Sequence, residues 1–259
     1  MRGMISDFRN YLQAGDPLHG PFFTTPSPRL AEVFGTLGFD CVCVDAEHGP
    51  LDRSDVDTLV MAFRLSRTPV IVRPPSGQTD HILAALDSGA AGVMIPHIIT
   101  GEDAHAAVEA ATYGPSAFGK GRGFAGGTRA AEYGGLGMAK HIARANASRV
   151  VIGQVEDAPA LDHLEDILEA DLDCVFIGRS DLTVSMGETD RNAPAVVEAC
   201  EGVARKAREA GKIVGTFTTD LNELPRWREL GVSLFLLGSE LGMMKAGARD
   251  FSAKVRAKL

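Results

Sequence analysis

Short apolar runs alternate along the chain with longer stretches in which apolar residues recur at helical spacing. An amphipathic lead-in is predicted over residues 1–19, where Phe8, Tyr11 and Leu12 share one helical face. Strands are predicted over residues 20–25, 41–45, 69–73, 92–96, 150–156, 173–178, 212–217 and 233–238. Helices are predicted over residues 29–38, 54–66, 79–88, 101–113, 158–170, 195–210, 222–230 and 241–259, with a further helix over 138–147.

The predicted strands are almost continuously apolar, which is typical of parallel strands that are buried on both faces. Repeated strand–helix units in a chain of 259 residues favour an α/β protein with one (β/α)8 TIM barrel domain over residues 1–259. The competing architecture is an open doubly wound sheet, which usually has a phosphate-binding glycine turn after its first strand. Here His19-Gly20-Pro21 lies at the start of that strand instead. No composition break predicts a second domain, and residues 239–259 are expected to form a C-terminal helix.

Composition and charge restrict the possible partners. The net charge of −8 and the pI of about 5.4 argue against a nucleic acid or an anionic membrane as partner. The four cysteines show no CxxC pairing, no run reaches the roughly 18 apolar residues of a membrane span, and no signal peptide is recognisable. A cytoplasmic location is therefore expected. Residues 114–121 nearly match a phosphate-binding loop, but Gly121 stands where its Ser or Thr should be.

Polar residues follow several of the predicted strands directly. In a TIM barrel the carboxyl ends of the strands meet at one end of the barrel, where chemistry is carried out. The residues found there are Asp45, Glu47 and His48 after strand two, Arg73 after strand three, Gln154 and Glu156 after strand five, and Ser180 and Asp181 after strand six. These side chains are therefore candidates for one shared site.

The spacing of these residues suggests roles but leaves alternatives open. Glu156 and Asp181 are one strand–helix unit apart, so they should face each other, and two facing carboxylates repel unless a proton or a cation lies between them. One of them could instead cap a helix. His48 is a candidate acid/base oriented by Asp45, Glu47 or Asp87, or else a surface histidine. Arg73 requires an anionic partner, which is either a substrate carboxylate or an internal salt bridge.

Taken in order, these segments resemble the HpcH/HpaI aldolases, which are metal-dependent class II pyruvate aldolases related to citrate lyase β subunits. The resemblance covers roughly residues 20–245. The elements that carry it are Gly38-Phe39-Asp40, Asp45-Ala46-Glu47-His48-Gly49-Pro50, Val72-Arg73, Leu86-Asp87-Ser88-Gly89-Ala90, Gly92-Val93-Met94-Ile95-Pro96, Gln154-Val155-Glu156, and Phe176-Ile177-Gly178 through Asp181-Leu182 to Met186-Gly187. The Asp-x-Glu-His-Gly and Gln-x-Glu elements are specific only in combination.

The resemblance implies an aldolase that reversibly cleaves a 4-hydroxy-2-oxo acid to pyruvate, or a related 2-oxo acid, and an aldehyde. It assigns a divalent cation (Mg²⁺, Mn²⁺ or Co²⁺) to Glu156 and Asp181, and the 2-oxo acid to Gln154, Asp181 and the backbone N–H of Ser180. Arg73 is implied to stabilise the enolate, His48 to be the acid/base, and Asp87 to raise the basicity of that histidine. Asp45 and Glu47 are expected to support them. The resemblance also implies a hexamer, a trimer of dimers whose last helix is exchanged between subunits.

Three departures from the family pattern concern the aldehyde side of the site. Arg179 stands beside Asp181, only Gly121-Arg122-Gly123 fits the usual glycine-arginine loop within residues 113–123, and residues 22–28 lack a tryptophan. Arg179 motivates an alternative function, a condensing enzyme or CoA-ester lyase that uses the same enolate. A third hypothesis is a barrel that only binds a 2-oxo acid.

Overall fold

The computed structural model describes residues 7–117 and 121–259 as a closed barrel of parallel strands, in which each strand pairs with the next and β8 pairs with β1. The predicted TIM barrel is confirmed. Residues 118–120, which lie in the near match to a phosphate-binding loop, are outside the described residues. The strands are β1 (Leu18–Phe23), β2 (Val42–Asp45), β3 (Val70–Arg73), β4 (Gly92–Ile95), β5 (Val150–Val155), β6 (Cys174–Ile177), β7 (Ile213–Thr218) and β8 (Val232–Ser239).

Both faces of the strands are buried, as their continuous apolar sequence predicts. One set of side chains fills the inside of the barrel, including Cys43, Ile71, Met94 and Phe176. The alternate set, which includes Val42, Val44, Val70 and Val72, packs outward against the helices. The cysteines are all free and buried, so those on the strands act as small apolar side chains.

The helices surround the barrel. They are α1 (Phe8–Gln13), α2 (Pro28–Gly35), α3 (Arg53–Leu65), α4 (Thr79–Asp87), α5 (Gly101–Ala111), α6 (Met138–Ser148), α7 (Leu164–Glu169), α8 (Arg179–Ser185), α9 (Pro194–Glu209), α10 (Leu224–Glu229) and α11 (Glu240–Arg256). Asp52 caps α3, because its side chain accepts from the Asp55 N–H while the Asp55 side chain accepts from the Asp52 N–H.

The structure departs from the expected helices in two places. The helix predicted over residues 158–170 is a 3₁₀ turn (Ala158–Leu161) followed by the short α7, and Pro159 lies in that turn. The seven residues of α8 follow β6 directly and were not predicted as a helix. As a result, the residues predicted at the end of strand six lie on the first turn of a helix.

We call the end of the barrel at which the strands finish the mouth, and the end at which they begin the base. Helix α1 lies at the base, where Phe8 and Leu12 belong to the same buried cluster as Ala91 and Val150, at the starts of β4 and β5. At the mouth, Glu240 Oε1 accepts hydrogen bonds from the backbone and the hydroxyl groups of Thr24 and Thr25, at 2.7–3.0 Å. This carboxylate joins the chain after β8 to the chain after β1.

Helix α11 differs from the other long helices because only its first residue, Glu240, is buried. Its exposed apolar residues recur at helical spacing and form one stripe, Leu241, Met244, Phe251 and Val255. No helix in residues 7–117 and 121–259 is long and apolar enough to cross a membrane.

Candidate active site

A buried pair of opposite charges links the ends of β2 and β3. Asp45 and Arg73 stand directly opposite each other in the ladder. Arg73 Nε donates to Asp45 Oδ1 at 2.9 Å and Nη2 donates to Oδ2 at 2.7 Å, which is the bidentate geometry that arginine favours. Asp45 Oδ1 also accepts from the N–H groups of Glu47 and His48. The pair therefore fixes the turn that carries the predicted acid/base residues.

The third nitrogen of Arg73 faces the mouth. Its Nη1 lies 3.2 Å from Glu47 Oε2, and the guanidinium carbon lies 4.7 Å from the centre of the Phe22 ring. Burial opposes the charge of Arg73, but the hydrogen bonds and the charge of Asp45 raise its pKa above the ordinary value. Of the two alternatives for Arg73, the structure shows the internal salt bridge, and Nη1 is the nitrogen that Asp45 does not occupy.

Glu47 and His48 follow in the same turn with different exposure. The Glu47 side chain is 10% exposed, and its burial raises its pKa. The His48 side chain is 60% exposed, and its Nε2 lies 3.8 Å from Glu47 Oε2. A side chain at Gly49 would collide with the Asp45 carbonyl oxygen, so this tight turn requires glycine. His48 thus lies at the rim of the mouth, where solvent reaches it.

His97, just after β4, brings an imidazole into the same region. Its Nε2 lies 3.3 Å from Glu47 Oε1, its backbone N–H donates to Glu156 Oε1 at 3.0 Å, and its Nδ1 lies 2.9 Å from Asp157 Oδ2. The backbone of His97 is left-handed, with φ of 54°, which is uncommon for a residue other than glycine. Burial opposes its protonation, but the hydrogen bond to Asp157 and the nearby carboxylates raise its pKa.

Glu156 is buried at the end of β5 and hydrogen bonded on both oxygens. Gln154 Nε2 donates to its Oε2, and the His97 N–H donates to its Oε1. Burial is the main cause that raises the pKa of Glu156 to about 7, and the charges of Asp181 and Glu47 add to it. Gly178 permits this arrangement, because a Cβ there would come within 2.4 Å of Glu156 Oε2.

Ser180 and Asp181 lie in the first turn of α8, where backbone N–H groups have no partner within the helix. Asp181 is close enough to raise the pKa of Glu156, as the sequence spacing predicts. It is not, however, in the group of residues whose potential ligand atoms lie within 4.8 Å of one another, which consists of Glu47, His97 and Glu156. This group contains one of the two predicted metal ligands.

The donor atoms at the mouth fit a divalent cation. Glu47 Oε2 and Gln154 Oε1 are buried acceptors without a hydrogen-bond partner, although Arg73 Nη1 lies 3.2 Å from Glu47 Oε2. Such acceptors can take a further positive group. Carboxylate oxygens suit Mg²⁺ and Mn²⁺, whereas an imidazole such as that of His97 shifts the preference toward later transition metals. The arrangement can hold a cation between β2, β4 and β5, next to the Arg73 guanidinium.

Two predicted relationships are not found within one chain. Asp87 ends α4, and since α4 runs from the mouth back to the base, Asp87 lies at the opposite end of the barrel from His48. Its partner there is Arg122, at 3.0 Å. Arg179 packs in the helix layer, where both oxygens of Glu223 accept from its Nη2 at 2.9 Å and the Trp227 ring lies 5.9 Å away.

His97 is the residue of this site that the sequence places at a strand end but to which it assigns no role. Its position after the Pro96 that ends the predicted fourth strand was a signal, because strand-end residues converge. A single histidine without an adjacent acid was too weak a pattern to select it. The left-handed backbone conformation that turns His97 toward Glu47 cannot be predicted from the identity of the residue.

Comparisons with known proteins agree with the family that the strand-end segments resemble. The model of the HpcH/HpaI aldolase/citrate lyase family matches residues 19–246. A hydroxypyruvate/pyruvate aldolase of Roseovarius nubinhibens is 32% identical over 259 residues and covers 99% of each chain. A 4-hydroxy-2-oxo-heptane-1,7-dioate aldolase of Klebsiella pneumoniae subsp. pneumoniae is 31% identical over 254 residues, covering 97% of this chain and 94% of the relative.

A solved structure supports the same relationship. The crystal structure of an HpcH/HpaI aldolase/citrate lyase family protein from Burkholderia cenocepacia J2315 has a TM-score of 0.89 and 32% sequence identity to this chain. The match covers 97% of this chain and 99% of the other, so it extends over the whole barrel.

Proposed function

The chain belongs to the HpcH/HpaI aldolase/citrate lyase family, and we propose that it is a metal-dependent aldolase that cleaves a 4-hydroxy-2-oxo acid to pyruvate, or a related 2-oxo acid, and an aldehyde. The observation that carries the proposal is the convergence of Glu47, His97 and Glu156 beside the nitrogen Nη1 of Arg73. A cation site next to a buried guanidinium provides two positive groups where an enolate oxygen develops negative charge.

Glu156 is proposed as the central ligand of the cation, with Asp181, Glu47 and His97 around it. The unpartnered oxygen of Glu47 supports this assignment, as does the space that Gly178 leaves beside Glu156. When bound there, a divalent cation supplies Lewis-acid polarisation of the keto group. We expect Mn²⁺ or Co²⁺ to bind more tightly than Mg²⁺, because His97 adds a nitrogen donor.

Residues on β5 and α8 are proposed to hold the 2-oxo acid. Gln154 Oε1 has no partner among the described residues, so it can accept from a hydroxyl group of the ligand or from a water, while Nε2 still donates to Glu156. The N–H of Ser180 lies in the first turn of α8 and is proposed to donate to the carboxylate of the substrate, which the positive end of a helix favours. Together these groups fix the plane of the substrate relative to Arg73.

Arg73 and His48 are proposed to carry out the charge and proton movements. In cleavage, His48 accepts the proton of the 4-hydroxyl group, through a water, as the C3–C4 bond breaks. The electron pair of that bond becomes the enolate of the 2-oxo acid, and Arg73 Nη1 donates to its oxygen. Asp45 holds the guanidinium in place through two hydrogen bonds, so the charge is oriented before the reaction begins.

The proposal is tested by metal removal. The purified protein is treated with EDTA, assayed for pyruvate release from 4-hydroxy-2-oxo acids that differ in tail length and charge, and then supplied with Mg²⁺, Mn²⁺ or Co²⁺. We expect activity to disappear on chelation and to return with the cation. Cleavage that persists after complete metal removal would show that the proposed chemistry is wrong.

The competing functions have less support. Arg179, which motivated a condensing or CoA-ester lyase activity, is held by Glu223 and does not offer its charge at the mouth. A protein that only binds a 2-oxo acid has no need of an exposed histidine beside the cation site. The same assay separates these hypotheses if two further measurements are made in parallel. Condensation with acyl-CoA tests the condensing enzyme, and binding of a 2-oxo acid without turnover tests the binding protein.

We also propose that α11 docks on a second copy of the chain, as expected for an exchanged helix in a hexamer. Its apolar stripe includes Phe251, which is 69% exposed. Phe251→Glu should shift the protein to smaller species in analytical ultracentrifugation. Ala246→Glu, which places the same charge on the opposite face of α11, should not. Equal sedimentation of both variants and the unaltered protein would argue against this interface.

Asp87 could reach His48 only in such an assembly, because one chain holds them at opposite ends of the barrel. Its proposed effect on His48 therefore requires the Asp87 of a second copy. The cytoplasmic location also stays a prediction, with all four cysteines present as free thiols.

A further inference from the structure

A cavity of about 390 Å³ lies at the base of the barrel, remote from the cation site. It is bounded by the end of α3, the end of α4, the residues before β4 and β5, and the last turns of α6. Its volume is within the range of sites that take small organic molecules. Part of its wall is apolar, formed by residues such as Leu86, Ala91 and Ala145.

Two residues that line this cavity carry a buried N–H group without an acceptor. Arg122 Nε and Arg149 Nη1 have no hydrogen-bond partner among the described residues. The two residues are 8% and 7% exposed. A buried donor without an acceptor is rare and costs free energy. Two such donors on residues that line one cavity favour an acceptor-rich ligand there.

The other nitrogens of these side chains hold them in place. Arg122 donates to Asp87 at 3.0 Å and lies over the Tyr113 ring at 4.4 Å. Arg149 Nε donates to Thr112 Oγ1 at 2.7 Å, and its Nη1 lies 3.6 Å from Asp173 Oδ2, too far for a hydrogen bond. The two guanidinium groups are therefore positioned before any ligand arrives.

The charge around the cavity is positive. Its lining includes the arginines 64, 67, 122, 129, 144 and 149, whereas Glu132 is the one acidic residue among the lining residues. Four of the arginines have carboxylate partners. Arg64 and Arg67 are exposed at the end of α3 and form no ion pair within residues 7–117 and 121–259. These two charges remain available to a ligand.

We propose that this cavity binds a small organic molecule through a phosphate or carboxylate group. The oxyanion accepts from Arg122 and Arg149, the exposed Arg64 and Arg67 close over it, and the apolar wall takes the body of the molecule. Arginine forks suit both anions, because two parallel N–H groups match two oxygens. A different explanation is that the arginines only neutralise the carbonyl groups at the helix ends, as Arg129 does at Ser88.

Binding of inorganic phosphate and of succinate to the full-length protein, measured by calorimetry, distinguishes these explanations. Each titration is repeated with excess pyruvate and Mn²⁺, which fill the mouth. We expect saturable binding that pyruvate does not displace. The relative affinity of the two probes identifies the phosphate or the carboxylate as the preferred group. Absence of binding, or displacement by pyruvate, would overturn the proposal, and neither result affects the aldolase assay.

Three variant proteins locate the bound anion. Arg64→Gln with Arg67→Gln should weaken binding by about tenfold or more, since two charge-assisted contacts are lost at exposed positions that tolerate substitution. Arg191→Gln with Arg205→Gln removes the same charge from exposed positions elsewhere, and should change the affinity by less than about twofold. Arg122→Lys keeps the charge but removes Nε, and should also weaken binding. Equal affinities for all three proteins would place the anion elsewhere and refute the site.

Discussion

The two ends of the barrel leave opposite kinds of buried atoms without partners. At the mouth these atoms are acceptors, namely Glu47 Oε2, Gln154 Oε1 and Glu240 Oε2. At the base they are donors, namely Arg122 Nε and Arg149 Nη1, and a further buried donor without a partner, Arg179 Nε, lies on α8 in the helix layer. An unsatisfied acceptor calls for a cation or a donor, and an unsatisfied donor calls for an anion. The same fold therefore offers sites of opposite polarity at its two ends.

The barrel topology contributes to this difference. Helices begin at the mouth and end at the base, so the mouth is near the positive ends of helices and the base near their negative ends. Acidic residues collect at the mouth and arginines at the base in part for this reason. Compensation of the helix ends does not explain the buried atoms that have no hydrogen-bond partner. Those atoms distinguish a binding site from ordinary helix capping.

The largest expected effect tests the cation site at the mouth. Glu156→Gln keeps the size of the side chain but removes the charge that a cation requires, so turnover should fall by about 10³-fold or more and Mn²⁺ binding should be lost in calorimetry. Phosphate binding at the base should be unchanged. Glu165→Gln, on the exposed surface, is the matched control. Tight Mn²⁺ binding to the Glu156 variant would remove this residue from the site.

The next effect separates charge from geometry within the mouth. Arg73→Lys keeps a cation opposite Asp45 but loses the fork and the nitrogen Nη1, so kcat should fall by about 100-fold through weaker stabilisation of the enolate. Mn²⁺ affinity should change little. The variant also avoids leaving Asp45 as an uncompensated buried charge, which Arg73→Ala would do. Normal turnover would show that Arg73 serves only the salt bridge.

A smaller effect is expected for His97, which also tests the choice of metal. His97→Asn should preserve the left-handed backbone, since asparagine tolerates it, while removing the imidazole. Affinity for Co²⁺ should fall by about tenfold and affinity for Mg²⁺ by less, because Mg²⁺ gains little from a nitrogen ligand. Titration of the metal-free protein with each cation measures this. Equal losses for both cations would mean that His97 acts through Asp157 and not as a ligand.

The smallest effect is expected at the base. Asp87→Asn removes the charge that neutralises part of Arg122, so phosphate should bind about threefold more tightly, as suits a partly screened ion pair. Metal affinity at the mouth should not change. A pH profile of turnover in the same variant tests the proposed influence of Asp87 on His48. If the pH profile shifts, and the shift disappears when the protein is diluted to single chains, Asp87 of one copy affects His48 of another.

The fold could be predicted because its evidence is repeated. Each strand is a short apolar run and each repeat ends in a helix, so a strand or helix boundary that is wrong by a few residues does not change the predicted barrel. Strand β1 begins at Leu18 rather than residue 20, and α8 was missed because seven residues directly after a strand give no clear helical period. The number and order of the strands were enough to predict the barrel, and both are visible in the sequence.

The site was predictable where position along the chain determines position in space. Asp45 and Arg73 were both placed at strand ends, yet sequence left open whether Arg73 meets a substrate or a salt bridge, since pairing depends on register. Asp87 shows the converse. It ends a helix, and in a barrel that position is at the base, so its distance from His48 was implicit in the predicted elements.

The carboxylate of Glu240, which accepts from Thr24 and Thr25, also has a consequence for how the barrel opens. These bonds join the chain after β8 to the chain after β1. Strands β1 and β8 therefore cannot separate at the mouth unless the N–H groups of Thr24 and Thr25 lose their acceptor. Exchange of these two amide protons with deuterated solvent should thus proceed by cooperative opening of the barrel, at a rate set by global unfolding and not by local fraying. The first and last strands, farthest apart in the sequence, would unfold as one unit.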